Sequence, residues 1–291
     1  MAQMLPLWLS VVLLGIIEGI TEFLPISSTG HMIIAERWLH AQSDLFLVVI
    51  QCGAVLAVLP LFPDRLRQFV FKWREPATRD YLSKIFVAFA ITGAGGLVLE
   101  KKGFKLPEEF LPVAVALFVG GVLFVLVETW LKGRTLKNEV TWSIVIAVGL
   151  GQLVAAVFPG TSRSGMTILM ALILGLNRVA ATEFTFLVGI PTMLAAGCLK
   201  IFQALHRGAD ENWAMVFLGF IVAAIVSFFV VKWLLRYVQT HTFIVFGWYR
   251  IGLALLLVAL LLSSPDQDQK RMKVTSPNKV LTTPGGLPPA N

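Results

Sequence analysis

Charged residues are scarce in this sequence of 291 residues: Asp, Glu, Lys and Arg together make up 14%, whereas hydrophobic residues make up 57%. Soluble globular domains average about 25% charged residues, so this composition excludes an ordinary soluble fold. Apolar runs close to the roughly 20 residues that cross a bilayer recur from end to end. The sequence therefore predicts an all-α, polytopic integral membrane protein.

Cysteine and histidine are also few, at two and four residues. Their spacing is not typical of a zinc site or of a disulfide framework. Cys52 and Cys198 lie in separate apolar runs, and we expect both to be buried free thiols. The first apolar run lacks a basic leading region and a small-residue cleavage site and carries two glutamates, so we do not expect a cleaved signal peptide.

Acidic residues are outnumbered, 17 against 24 Lys and Arg, and the net charge is +7. Such a balance can indicate a nucleic-acid partner, but the basic residues cluster between apolar runs, so no nucleic-acid partner is expected. Loops rich in Lys and Arg remain on the cytoplasmic side of a membrane. We therefore predict that loops 63–84, 132–139 and 236–242 are cytoplasmic, and that loops 101–110 and 201–212 and both termini lie outside.

The apolar runs fall into six predicted transmembrane helices and two shorter broken pairs. The predicted transmembrane helices are residues 44–62, 84–100, 111–131, 181–200, 213–236 and 243–262. A proline breaks each remaining apolar segment, and irregular backbone is tolerated at membrane depth where it lines a cavity, so we predict re-entrant helix-turn-helix pairs. These pairs are residues 5–24 with 27–40 and 141–158 with 162–176.

Each half of the chain contains one broken pair followed by three spans. Three crossings are an odd number, so the second half is inverted relative to the first. Such inverted-topology repeats often form a site near the membrane midplane. We assign residues 1–140 to the first repeat and 141–262 to the second. Residues 263–291 are polar and rich in Pro, Ser, Thr and Lys, and we predict a disordered tail.

The first broken pair carries two carboxylates followed by a hydroxyl-rich turn. Glu18 and Glu22 are four residues apart and share one helical face. An ionised carboxylate deep in a bilayer requires a cavity, a cation or a partner. Two acids at this spacing suit a divalent cation, or one can act as a base while the other orients it. The turn after Pro25 contains Ser27, Ser28, Thr29, Gly30 and His31.

The second broken pair repeats the hydroxyl-rich turn and adds an arginine. Its polar turn residues are Thr161, Ser162, Ser164, Gly165 and Thr167. Ser and Thr at a helix start can be simple N-caps, but the same N–H-rich terminus is also an anion site. Arg163 lies within this turn, and its planar guanidinium suits phosphate. Two facing turns therefore predict a phosphate site, with His31 as a candidate proton carrier.

These two motifs, Glu18-Gly-Ile-Thr-Glu-Phe-Leu-Pro-Ile-Ser-Ser-Thr-Gly-His31 and Pro159-Gly-Thr-Ser-Arg-Ser-Gly-Met-Thr167, resemble those of the undecaprenyl-diphosphate phosphatases. That family is also called the bacitracin-resistance proteins, and the resemblance covers about residues 5–262. It implies removal of the terminal phosphate of undecaprenyl diphosphate, which recycles the carrier lipid for peptidoglycan synthesis. It also implies a Mg²⁺ or Ca²⁺ ion, an active site at the outer face of the bacterial plasma membrane, and competition with bacitracin for the substrate.

Diphosphate hydrolysis requires charge neutralisation, a nucleophile and a proton carrier. We expect Ser28 to be the nucleophile, although the sequence leaves attack by water open. His31 would be the acid or base, and Arg163 would bind phosphate. Glu18 and Glu22 would hold the cation or activate the nucleophile, and which acid binds metal is left open. The expected phosphate ligands are Ser27, Thr29, Gly30, Thr161, Ser162, Ser164, Gly165 and Thr167.

Two other functions fit parts of the sequence. Inverted repeats with broken helices are typical of transporters, so a carrier or flippase of isoprenyl phosphate lipids is the alternative, and a non-catalytic lipid-binding protein is a third. A carrier of anions gains little from two glutamates beside the phosphate, which favours the enzyme. The sequence does not indicate the oligomeric state.

Three expectations concern the three-dimensional structure. Glu183 and Arg250 are predicted to pair, because an unpaired charge at membrane depth is costly. The two turns are predicted to meet, with Ser28 and Arg163 within reach of one phosphate group. We expect a polar pocket there that opens outward, and an apolar groove between helices for the isoprenyl tail.

Overall fold

The computed structural model describes residues 5–102, 110–206 and 211–263. Over these ranges the chain forms eleven α-helices and no β-sheet, as the all-α prediction requires. The helices are α1 (Leu7–Thr21), α2 (Ser28–Ala35), α3 (Asp44–Val58), α4 (Pro63–Phe71), α5 (Pro76–Lys101), α6 (Phe110–Trp130), α7 (Trp142–Val157), α8 (Arg163–Ile173), α9 (Arg178–His206), α10 (Trp213–Tyr237) and α11 (Ile244–Ser263). The predicted tail lies outside the described residues after Ser263.

Six helices are long and apolar enough to cross a bilayer: α3 together with the 3₁₀ turn that follows it, α5, α6, α9, α10 and α11. The prediction of six transmembrane helices is therefore confirmed, and the chain is a multi-pass membrane protein. The pairs α1–α2 and α7–α8 are shorter and occupy the two predicted broken segments. Their re-entrant path and the inverted topology stay predictions.

The predicted loop 63–84 is largely helical, which corrects that prediction. Helices α4 and α5 begin at Pro63 and Pro76, where proline is favoured because the first helical N–H has no intrahelical partner. Lys84 forms an ion pair at 2.5 Å with Asp80, one helical turn earlier. The high charge of this stretch suggested a loop, but pairs with this spacing accommodate it on a helix.

Glycines bring α1 and α3 close to α10. A Cβ atom at Gly15 would lie 2.9 Å from the carbonyl oxygen of Gly219, and one at Gly53 would lie 2.5 Å from that of Phe220. Small residues allow membrane helices to approach closely and gain packing contacts. Since α1 and α3 pack on α10, and α6 packs on α11, the two halves interleave. The division into repeats 1–140 and 141–262 stays a prediction.

Glu183 is paired with Arg65 of α4, and the predicted pair with Arg250 is wrong. Arg65 Nε donates to Glu183 Oε1 at 2.5 Å, and its guanidinium lies 4.4 Å from the centre of the Tyr81 ring. The prediction failed because it treated 63–84 as a loop, whereas α4 carries a cation to the side of α9. Arg250 has other partners, which belong to the site described below.

Polar contacts join the open ends within each of the two helix pairs. Ser10 is hydrogen-bonded to His40 at 3.1 Å, which joins the open ends of the first pair. The backbone N–H of Asn177 donates to Lys137 at 2.9 Å, which joins the open ends of the second. Helix α3 runs from the first of these ends to α4, whose ion pair with α9 marks the second. That both turns reach the middle of the membrane from opposite sides stays a prediction.

The two cysteines differ in their exposure. Cys52 is buried, as predicted, whereas Cys198 is exposed, so the prediction for Cys198 is wrong. Both residues lie in helices apolar enough to cross a membrane. Lipid is as apolar as a protein core, so hydropathy does not separate a packed face from a lipid-facing one.

A buried carboxylate joins several helices at the end of the bundle where α9 begins. Glu128 of α6 is 2% exposed, accepts a hydrogen bond from Arg178 Nε at 2.9 Å, and accepts another from the Phe243 N–H at 2.9 Å. One side chain therefore holds α6, α9 and the start of α11 together. Glu128 was not among the residues predicted from the sequence to have a structural role.

We expect Glu128→Gln to lower the free energy of unfolding by about 3 kcal/mol, because it leaves a partly buried arginine without its charge partner. Thermal unfolding in detergent measures this. The matched control is Glu75→Gln, whose partner Lys72 is 53% exposed. Exposed pairs contribute about 0–1 kcal/mol, so this control should melt close to the wild type. Equal melting temperatures for both variants would contradict the assignment.

Candidate active site

The first turn places its polar residues through one unusual backbone conformation. Helix α1 ends at Thr21, Glu22 follows as its C-cap, and α2 begins at Ser28. The N-cap Ser27 has φ 74°, a left-handed value that ordinary residues rarely adopt, and its hydroxyl accepts from Gly30 N at 3.4 Å. Strained residues of this kind persist where the surrounding structure holds them, often at functional sites.

The second turn repeats this conformation. The N-cap Ser162 has φ 68°, and its hydroxyl accepts from Gly165 N at 3.2 Å. Within the described residues, Ser27 and Ser162 are the only non-glycine residues with positive φ. The position that holds Ser28 in the first turn holds Arg163 in the second, so two copies of one cap present different chemical groups.

The two turns meet at Glu22, as the sequence predicted. Arg163 Nη2 donates to Glu22 Oε1 at 3.1 Å, and the Ser28 hydroxyl donates to Glu22 Oε2 at 3.0 Å. The Ser164 hydroxyl also lies within hydrogen-bonding distance of the carbonyl oxygens of Glu22 and Leu24, at 3.3 and 3.1 Å. A single carboxylate therefore joins the candidate nucleophile and the candidate phosphate-binding cation.

Glu18 lies behind Glu22 and has an unfilled hydrogen-bonding capacity. It is 1% exposed and interacts with Glu22 and Gln51. Among the described residues, no partner is found for Glu18 Oε1 or for Arg163 Nε. A partnerless oxygen on a buried carboxylate fits a metal ligand.

A metal ion would have few other protein ligands here. The described part of the chain contains no group of three or more His, Cys, Asp or Glu residues that could hold a metal. Mg²⁺ is usually bound by one or two carboxylates together with waters and substrate phosphates, so Glu18 and Glu22 suffice for such a site. The residues therefore fit a cation that binds together with the substrate.

The other expected phosphate ligands differ in how their hydroxyls are used. Thr29 is exposed, and Ser162 is partly exposed. The hydroxyls of Thr161 and Thr167 donate to carbonyl oxygens of their own turn, Phe158 at 2.6 Å and Arg163 at 2.8 Å. These two hydroxyls stabilise the turn in this conformation. Their contact with a phosphate stays a prediction.

Arg250 of α11 contacts both turns. It was not predicted from the sequence as a site residue. Its side chain is fully buried in α11. Nη1 donates to the carbonyl of Pro25 at 3.3 Å, and Nη2 donates to those of Gly160 and Thr161 at 3.2 and 2.9 Å. Further bonds reach two carbonyls of α6. Backbone carbonyls, not a carboxylate, therefore surround this charge.

A sequence signal for Arg250 existed, because an arginine inside an apolar run demands a partner. Its partners are not carboxylates but carbonyl oxygens at the two proline-containing turns, which have no helical N–H to accept.

His31 is held at both ring nitrogens. Nδ1 lies 2.7 Å from the carbonyl oxygen of Ser27, and Nε2 lies 2.7 Å from the hydroxyl of Tyr249. Tyr249 immediately precedes Arg250 and was not among the residues singled out from the sequence.

An apolar groove of about 430 Å³ borders the second turn. Its inner wall includes Thr161 and Gly165, next to the cap Ser162. Its outer wall includes Val115, Val119 and Phe158, which are each about half exposed. The groove therefore extends from the turn to the lipid-facing surface between α6, α7 and α8.

The fold and the site define a class: a polytopic helical membrane protein with two serine-capped helix starts that meet, and with paired acids, a serine and an arginine at their junction. Residues 11–256 match the family model of the bacitracin resistance protein BacA. The chain belongs to this family.

Three relatives illustrate the similarity. The chain is 51% identical to the undecaprenyl-diphosphatase of Rhizobium etli strain CIAT 652 over 256 residues, which cover 87% of this chain and 97% of the relative. It is 48% identical to that of Xylella fastidiosa strain 9a5c over 255 residues, 87% of this chain and 98% of the relative. It is 50% identical to that of Xanthomonas axonopodis pv. citri over 254 residues, 86% and 96%.

We expect Arg250→Met to destabilise the protein by about 3 kcal/mol, because the carbonyls of both turns lose a charged donor in a buried place. Thermal unfolding in detergent measures the loss. Arg236→Met is the matched control, since Arg236 is exposed in the last turn of α10. A wild-type melting temperature for Arg250→Met would contradict the assigned role.

Proposed function

We propose that this protein hydrolyses undecaprenyl diphosphate to undecaprenyl phosphate and inorganic phosphate. Its membership of a family whose curated relatives are named undecaprenyl-diphosphatase supports this. The observation that carries the proposal is the junction at Glu22, where one carboxylate binds both Ser28 and Arg163. Recycling of the carrier lipid for peptidoglycan and cell-wall synthesis follows from this activity.

The geometry supports Ser28 as the nucleophile. Its hydroxyl already donates to Glu22 Oε2, so Glu22 is placed to take the proton as the oxygen attacks the terminal phosphorus. Undecaprenyl phosphate leaves, and water then hydrolyses the phosphoserine. Arg163 and the N–H groups at the starts of α2 and α8 would bind the phosphate oxygens. Direct attack by water on the same phosphorus is the alternative.

Glu18 and Glu22 would hold a Mg²⁺ or Ca²⁺ ion together with the substrate. When bound, the cation neutralises charge on the diphosphate and polarises its oxygens. The protein contributes the buried position of both acids. It also contributes Arg163, whose positive charge balances that of Glu22, the second of the two acids.

The substrate's tail would lie in the groove beside Thr161 and Gly165, which leads from the second turn to lipid. We place the polar opening of the site at the outer face of the plasma membrane, opposite the basic stretch 63–84. Bacitracin, which binds the diphosphate, would then compete with the enzyme for substrate, and more enzyme would give resistance.

A flippase is disfavoured by the same junction. A carrier must release its anion on both sides, whereas Glu22 adds a negative charge and a hydrogen-bonded serine at the place where phosphate would bind. This arrangement suits a bond-breaking reaction.

We expect Glu22→Ala, Ser28→Ala and Arg163→Ala each to reduce phosphate release by about 10²–10³-fold, the usual cost of one lost transition-state contact. Purified protein in detergent is given isoprenyl diphosphate, and phosphate is measured. The matched controls are the exposed residues Glu75, Ser83 and Arg236 changed to alanine.

A near-normal rate for Arg163→Ala would contradict the two-turn site. An acid quench at short times distinguishes the two nucleophiles. A phosphoserine that is absent in Ser28→Ala supports serine attack, and its absence from the wild type supports attack by water.

Removal of divalent cations with EDTA should abolish phosphate release, and Mg²⁺ or Ca²⁺ should restore it. A second readout does not depend on turnover: Ca²⁺ with a non-hydrolysable diphosphate analogue should raise the melting temperature of the wild type. The rise should be lost in Glu18→Gln, which keeps the shape but removes the charge. Full activity in EDTA would exclude the cation.

A further inference from the structure

His31 has no free ring nitrogen in this structure. A carbonyl oxygen only accepts, so Nδ1, at 2.7 Å from the Ser27 carbonyl, carries the hydrogen. In the neutral ring Nε2 is then a bare acceptor, and the Tyr249 hydroxyl donates to it at 2.7 Å. The two rings are nearly parallel, at 6°. The tautomer of His31 is therefore fixed from both sides.

The location of this pair connects it to the site. Ser28 and His31 are three residues apart on α2 and share one helical face. Ser27, whose carbonyl binds Nδ1, is the strained cap of the same turn. Tyr249 is 47% exposed, whereas His31 is only partly exposed, so the tyrosine is the outer member of the pair.

We infer that Tyr249 is a positioning residue through which His31 exchanges its proton; this rests on the proposed function. With Nδ1 bound to Ser27, a proton reaches Nε2 by way of the tyrosine hydroxyl. The hydroxyl gives its proton to Nε2 while its oxygen takes one from a water or a phosphate hydroxyl on the open side. Tyrosine ends neutral, histidine ends as the imidazolium, and the reverse transfer returns the proton.

This arrangement resolves a conflict in the sequence-based assignment. A histidine that acts directly on the substrate needs a free nitrogen, and His31 uses both within the protein. The charges of Glu22 and Arg163 do not change in this transfer, because the proton moves only between His31 and the water or phosphate, by way of the Tyr249 hydroxyl.

The test is Tyr249→Phe, which removes the hydroxyl and keeps the ring against His31. The chain has three tyrosines. Tyr237→Phe is the matched control, because the Tyr237 hydroxyl bonds only weakly, at 3.5 Å, to a backbone carbonyl far from the site. We expect kcat for Tyr249→Phe to fall about 10²-fold, as for loss of an acid–base group, with little change in KM. The control should keep the wild-type kcat.

A double-mutant cycle decides whether Tyr249 acts through His31. If it does, Tyr249→Phe should cause no further loss in a His31→Ala background. A double variant whose loss of kcat equals the product of the two single losses would overturn the inference. A wild-type kcat for Tyr249→Phe, or an equal loss in the Tyr237→Phe control, would do the same.

A readout without turnover separates this inference from the proposed function. The protein has four histidines, so ¹⁵N-histidine spectra are simple, and His31→Gln assigns the signal of interest. We expect a neutral His31 protonated at Nδ1 whose Nε2 resonance shifts in Tyr249→Phe and not in Tyr237→Phe. An unshifted Nε2 would overturn the inference. Absent phosphate release from an intact wild type would instead overturn the proposed function alone.

Discussion

The carboxylate of Glu22 is the contact on which the arrangement of the site depends. It is 8% exposed in a protein whose surroundings are lipid, so its charge requires compensation by specific neighbours. Arg163 supplies a cation and Ser28 supplies a hydroxyl, one from each turn. The need to satisfy one buried acid therefore brings together the groups that we propose for the reaction. A structural requirement and a chemical one are met by the same three side chains.

Arg250 supplies hydrogen-bond donors to backbone carbonyl oxygens that would otherwise be unpaired. The proline-containing turns interrupt their helices and leave carbonyl oxygens without N–H partners at membrane depth, which is costly in a medium without water. The Arg250 guanidinium donates to these carbonyls in both turns. Its charge would be equally costly alone. The turns and the arginine thus stabilise each other. The arginine binds carbonyls just before the strained caps Ser27 and Ser162, and so helps to hold these caps in place.

The class of fold, the six spans and the meeting of the two turns could be predicted from the sequence, because apolar length and repeated motifs carry that information. Partners of isolated charges could not. Glu183 and Arg250 seemed to need each other, yet Arg65 arrives on an amphipathic helix and carbonyls arrive from turns that are remote in sequence. Cys198 shows a second limit, since a lipid-facing residue and a buried one obey the same hydropathy. Tyr249 was missed because only its contact with His31, which is remote in sequence, points to a role.

The repeated cap explains why two incomplete turns form one site. Ser27 and Ser162 adopt nearly the same φ, and each hydroxyl accepts the N–H of the glycine three residues later. The equivalent positions that follow hold Ser28 in one turn and Arg163 in the other. In the proposed reaction, a turn with serine alone would lack a cation for the phosphate, and a turn with arginine alone would lack the proposed nucleophile. Because Ser164 bonds to the backbone of the first turn, the packing of the two turns against each other also sets the distance between these two groups. The chemistry is therefore a property of the interface between the turns and of neither turn by itself.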